Sequence, residues 1–208
     1  MQIDNRKEYL ESLLSFAVGG NARSEAEKIC ERFTSASDIA STDSHLLQNL
    51  SGCSEASADF IRLVAAISSR RMTDEFKNGR RYSEKDMERY VIALLFSMTV
   101  ESVYMISFDK SGKMISTDLL TEGTVNSSAF LPRKMADIAL RRKASSVILA
   151  HNHPSGNLIP SDNDVAVTLL AKSILSDAHV KLDAHYITVG FEAVNCLLHI
   201  EKTTGTQG

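Results

Sequence analysis

The stretch SSVILAHNHPSGNLIPSDND, residues 145–164, restricts the fold more than any other part of the chain. Val147–Ala150 is a short apolar run that reads as a buried strand. Pro154, Gly156 and Pro160 then end the strand and steer the chain away from the sheet. Ser161 reads as the cap of a helix of about sixteen residues, with Val165, Val167, Leu169, Leu170 and Ile174 on its apolar side. If the strand extends to His153, its period of two puts His151 and His153 on one face and Asn152 on the other. Two imidazoles aimed into one space suit a zinc ion. Asp164, in the first turn of the following helix, can point back as the third ligand. Two histidines, one aspartate and an open fourth position for water describe a catalytic site, because structural zinc is closed by four protein ligands. Ser161 would stand beside the ion, where its hydroxyl could donate to an oxyanion.

The rest of the chain fits a mixed fold. Residues 4–72 look all-helical, with apolar positions at helical spacing in Tyr9, Leu10, Leu13 and Leu14 and again in Ile61, Val64 and Ala65. Breaks at Gly19-Gly20, Ser35 and Ser51-Gly52 divide it into four or five helices. We place a helical domain at 1–74, a polar linker at 75–83 and a second domain at 84–208. Ser83 and Asp86 cap a helix to about Met98 that buries Met87, Tyr90, Val91, Leu94 and Leu95. SVYMISFD and KMISTDLL flank a turn at Gly112 and read as a hairpin. Pro132 opens a helix to about Lys143 that carries Met135, Ile138 and Ala139 inward. HYITVG and FEAVNC read as two closing strands. Strands interspersed with helices give an α/β sheet with helices on both faces.

Composition excludes some roles. Residues 1–76 carry 8 basic against 12 acidic side chains and the remainder 15 against 14, so no excess of positive charge drives phosphate binding. The basic group Arg133, Lys134, Arg141, Arg142 and Lys143 reads as the solvated face of a helix. Cys30, Cys53 and Cys196 form no CxxC pair and suit reduced thiols in the cytoplasm. The N-terminus MQIDNRKEYL lacks the apolar core of a signal peptide, and the longest apolar run, YVIALLF, is too short to cross a bilayer. His45, His179, His185 and His199 lack metal-ligand spacing.

The motif His-x-His-Pro followed by Ser-x-x-Asp resembles that of the JAMM (MPN+) metalloproteases. The strings SSVILAHNHPSG and PSDND, with GTVNSSAFLPRKMADIAL at 123–140, resemble the bacterial RadC-like branch of that family. The resemblance covers residues 83–200. It implies a JAB/MPN-like mixed sheet flanked by helices, layered as in cytidine deaminases, after a small helical domain similar to a degenerate helix-hairpin-helix. It implies one zinc ion per chain, held by His151, His153 and Asp164. Ser161 would stabilise the oxyanion, and Glu101, at the start of the first strand, would be the general acid/base. Asp109, Asp118 and Glu122 are its rivals. Where RadC-like proteins carry Asp-His before the last long strand, this chain has His185-Tyr186, which alters any support that pair gives the site. Gly52-Cys53-Ser54 replaces the Gly-x-Gly turn that grips phosphate. The expected activity is hydrolysis of a peptide or isopeptide amide in a protein or peptide substrate. The alternatives are a DNA-repair-associated DNA-binding module and a metal-bearing scaffold without turnover.

Overall fold

The computed structural model describes residues 6–123 and 131–205, so Thr124–Phe130 of the GTVNSSAF string lie outside the described residues. The chain divides into two compact units between Arg71 and Met72.

The first unit is built from helices α1 (Arg6–Val18), α2 (Ala22–Arg32), α3 (Ala36–Ser41), α4 (Ser44–Ser51) and all but the last three residues of α5 (Glu55–Asp74). The breaks follow local chemistry. Ser35 accepts from Asp38 N at 2.9 Å to cap α3, and Gly52 ends α4 at a φ of 71°, where a side chain is unfavourable. Leu10, Leu14, Ala26, Ile29, Leu47 and Ile61 form the core. Tyr9, expected inside, is 73% exposed. The buried stripe of α1 runs through Leu10 and Leu14, four residues apart, and Tyr9 lies one position off it.

The second unit contains α6 (Glu84–Leu95), β1 (Ser102–Phe108), β2 (Met114–Glu122), α7 (Leu131–Arg142), β3 (Ser146–Asn152), α8 (Asp162–Asp177), β4 (Lys181–Val189), β5 (Glu192–Asn195) and α9 (Cys196–Gly205). The five strands form one sheet in the order β2-β1-β3-β4-β5, with only β3 and β4 parallel. The β1–β2 turn is closed by Asp109, whose Oδ1 accepts from Ser111 N and Lys113 N while Gly112 takes a φ of 72°. Within 75–83, Phe76 packs against Tyr82 and Tyr90, and Gly79 N donates to Met114 O.

Alternation along β3 separates two layers. Val147 and Leu149 pack with Met135, Ala139, Ala171 and Leu175 of α7 and α8. Ile148 and Ala150 pack with Met87, Tyr90, Val91 and Leu95 of α6. His151 therefore faces α8 and Asn152 faces the other way. Two expectations need correction. Leu169 and Leu170 are exposed, and the buried stripe of α8 is Asp164, Thr168, Ala171 and Leu175. Two of those four are polar, which hides the stripe from a search for apolar spacing. The last expected strand also stops at Asn195, whose Oδ1 accepts from Leu197 N, and Cys196 begins a helix instead. Among the described residues, no helix is long and apolar enough to cross a membrane.

Candidate metal centre

The site forms where β3 leaves the sheet and α8 begins. His151 is the last inward-facing residue of β3. His153 N donates to Thr188 O, which carries the extended backbone one step further and returns His153 to the same face. Gly156 N then donates to His153 O, and a φ of 81° at Gly156 turns the loop back. At the start of α8, Ser161 and Asp164 make a reciprocal capping box: Asp164 N donates to Ser161 Oγ, and Ser161 N donates to Asp164 Oδ2 at 2.8 Å. The box fixes the Asp164 carboxylate over the strand end.

Three donors converge there. His151 Nε2 and His153 Nε2 are 2.9 Å apart, and Asp164 Oδ1 and Oδ2 lie 3.2 Å and 3.4 Å from them. A tetrahedral zinc with bonds near 2.0–2.1 Å has ligand atoms about 3.3 Å apart, so the set fits such an ion with adjustments of tenths of an ångström. Among the described residues these are the three that together can hold a metal ion. His151 and Asp164 are buried and His153 is half-buried.

The electrostatics fit a cation. Burial alone would push the Asp164 carboxyl up, but hydrogen bonds from His151, His153 and Ser161 hold it well below the usual carboxylate range. The bond to Asp164 raises His153, against its burial, and the Glu101 charge adds to the rise. The pocket thus attracts positive charge, whether a proton or a metal. His153 Nδ1 lies 2.6 Å from Asn157 O, which can only accept, so Nδ1 carries the hydrogen and Nε2 is left to face the pocket.

Glu101 stands exposed just before β1. Val103 pairs with His151, so the same register continued two residues sets Glu101 opposite His153. Its segment is held by Asn152, on the face away from the histidines. Asn152 Oδ1 accepts from Ser102 N at 2.9 Å, and Nδ2 donates to Val100 O at 3.0 Å and Met98 O at 3.2 Å. α6 itself stops at Leu95, short of the expected end near Met98, and closes with a turn in which Met98 N donates to Leu95 O. Of the rival carboxylates, Asp109 lies in the turn at the other end of β1, and Asp118 is engaged by Arg142. Glu122 stays at the site end of β2, across from Ser102. Ser161 Oγ donates to Asp164 Oδ2 at 2.6 Å, so that proton must swing away before it can serve an oxyanion.

His185 was set aside on spacing, yet its Nε2 lies 2.9 Å from His151 Nδ1. A β-bulge brings it there. Val147 pairs with Leu182 but Ile148 with Ala184, so Asp183 is an extra residue and the side-chain phase of β4 inverts beyond it. Tyr186 is thereby turned into the α6 layer, where burial pushes its phenol up to about 12. The only signal in the sequence was the departure LDAHYITVG itself.

Three of the four basic residues of α7 are tied to neighbours: Arg141 pairs with Asp137, Arg142 with Asp118, and Lys134 Nζ donates to Leu120 O.

The sequence profile of the RadC-like JAB domain matches residues 82–196, more than half of the chain. A UPF0758 protein of Cupriavidus pinatubonensis is 28% identical over 191 residues, covering 91% of this chain and 84% of its own. A UPF0758 protein of Photobacterium profundum is 29% identical, covering 85% and 80%. One from Finegoldia magna is 44% identical over a shorter stretch of 72 residues, 35% of this chain and 32% of its own. The matched span holds the whole sheet, both histidines and the capping box that places Asp164, and on that ground the chain belongs to the RadC-like JAB domain family.

Proposed function

We propose that this protein is a zinc-dependent hydrolase that cleaves peptide or isopeptide amide bonds in a protein or peptide substrate. The observation that carries the proposal is the meeting of His151 Nε2, His153 Nε2 and the Asp164 carboxylate within 3.4 Å, with the exposed Glu101 close enough for its charge to act on His153. These three side chains would hold one ion per chain. When bound there, zinc would supply Lewis-acid chemistry, making water acidic enough to act as a nucleophile near neutral pH. Glu101 takes a proton from the attacking water and returns it to the leaving amine, a contribution of roughly 10²–10⁴-fold. Ser161, once its proton turns from Asp164, donates to the developing oxyanion, worth about 3 kcal/mol. Free thiols at Cys30, Cys53 and Cys196 suit work in the reducing cytoplasm.

A DNA-binding role ranks below this one. Ser54 N, at the start of α5 in the hairpin, already donates to Glu25 Oε2 at 2.5 Å, so an internal carboxylate stands where a phosphate would bind. A scaffold role leaves Glu101 without a purpose beside the three donors.

The test is zinc content by elemental analysis, followed by incubation of zinc-loaded protein with cell extract and a search for new protein termini. We expect about one zinc per chain, and new termini that fall at least about 100-fold when Glu101→Gln is used instead. Equal cleavage by the two proteins, or a wild-type protein that takes up no zinc, would overturn the proposal.

A further inference from the structure

A chain of buried polar groups runs behind the three donors. Thr168 Oγ1 lies 2.5 Å from the carbonyl oxygen of Asp164 and 2.6 Å from His185 Nδ1, and His185 Nε2 lies 2.9 Å from His151 Nδ1. Thr168, His185 and His151 are all at most 2% exposed, so no water competes for these groups.

Valence fixes the direction of every bond. A carbonyl only accepts, so the single hydroxyl proton of Thr168 goes to Asp164 O. The Thr168 oxygen therefore accepts from His185 Nδ1–H. Cys196 Sγ, 3.5 Å away, is a second and weaker acceptor for the same hydroxyl, and the carbonyl at 2.5 Å takes the proton instead. A neutral imidazole has one N–H, so His185 Nε2 is left as an acceptor and takes the proton of His151 Nδ1. In neutral His151 the Nε2 lone pair then remains, on the atom that faces His153 and Asp164 and that meets the Asp164 carboxylate with a proton when no ion is bound. The backbone of His185 is pinned as well, since His185 N donates to Asn195 Oδ1.

We propose that Thr168 and His185 form a one-way hydrogen-bond relay that starts on the backbone of one candidate ligand, Asp164, and sets the tautomer of another, His151, so that Nε2 is presented to the ion. Both are positioning residues. The relay rests on the metal-binding role proposed above, and it closes a ring: Asp164 meets His151 directly through its carboxylate and indirectly through its own carbonyl, Thr168 and His185. Backbone, helix and two strands are locked together, so the donors are aimed before any ion arrives.

The experiment has two arms. Imidazole ¹⁵N spectra of the metal-free wild-type protein report tautomers without any variant. We expect neutral His185 to carry its proton on Nδ1; a proton on Nε2 would overturn the relay, because His185 would then donate to His151. In the second arm, zinc affinity is measured by competition with a chromogenic chelator. Thr168→Val, which keeps the branch and drops the hydroxyl, should weaken zinc binding 10–100-fold, and Thr168→Ser should restore it. Wild-type and Thr168→Val proteins that bind zinc equally overturn the relay alone. A wild-type protein that binds no zinc overturns the hydrolase proposal and the relay's purpose with it.

Discussion

Among the described residues each unit buries one carboxylate, and the two are satisfied in different ways. In the helical unit Glu25 is 6% exposed. Its Oε1 pairs with Lys28 Nζ at 2.8 Å, and its Oε2 accepts from Ser54 N and Ser57 Oγ. Burial pushes its pKa up, but these bonds outweigh it and bring the group to about 2. In the sheet unit Asp164 is as buried and also held low, but beside the hydroxyl and amide of Ser161 its partners are two imidazoles. Ammonium, amide and hydroxyl groups only fill the carboxylate's lone pairs. An imidazole nitrogen either carries a proton or offers a lone pair, so the Asp164 pocket can exchange a proton for a metal cation. Burial and a depressed pKa are common to both places; exchangeable partners separate a structural carboxylate from a candidate site.

The sharpest way to break this comparison is to neutralise each carboxylate and measure zinc uptake. Partners that only support a ligand cost 10–100-fold in affinity, so Asp164→Asn should cost at least about 100-fold. Glu25→Gln should leave zinc uptake unchanged. A zinc affinity that falls equally in both variants would mean that the metal does not bind where we place it.

Next in size is Asn152→Ala. It removes three hydrogen bonds and leaves Ser102 N buried without its partner. At about 1 kcal/mol each, the loss in a urea titration should be about 3 kcal/mol, with zinc stoichiometry unaltered. A loss of zinc instead would show that Asn152 supports the metal pocket rather than the Glu101 segment.

The smallest effect belongs to Glu25→Gln, which should cost about 1–2 kcal/mol at neutral pH. Its pH dependence has a definite sign. Glu25 titrates lower in the folded chain than its ordinary value of 4.5, so its stabilisation is complete above pH 4.5 and fades as pH falls toward 2. The gap between wild-type and Glu25→Gln urea midpoints should therefore close over that range. A gap that stays constant would mean the ionised form contributes nothing.

Much of the second unit was legible in the sequence. Strong local signals carried it: the apolar run of β3, Gly112 in its turn, and Ser83 and Ser161 as caps. The less legible parts share a cause. The inward stripe of α8 contains Asp164 and Thr168, and α9 begins where a side chain of the preceding strand turns to cap it. Both depend on partners distant in sequence. In the first unit Tyr9 fits the apolar spacing as well as Leu10, and only the packed neighbours chose between them.

The sequence by itself determined the three donors. A strand's period of two and a cap's spacing of three are local geometry, and together they single out His151, His153 and Asp164 as one set. Only the tertiary structure decided what stands behind them. The extra residue at Asp183 inverts the phase of β4, and that single inversion makes His185 rather than Tyr186 the neighbour of His151. A bulge is set by how one strand registers on the next, a long-range balance of hydrogen bonds and packing that no local pattern of residues records.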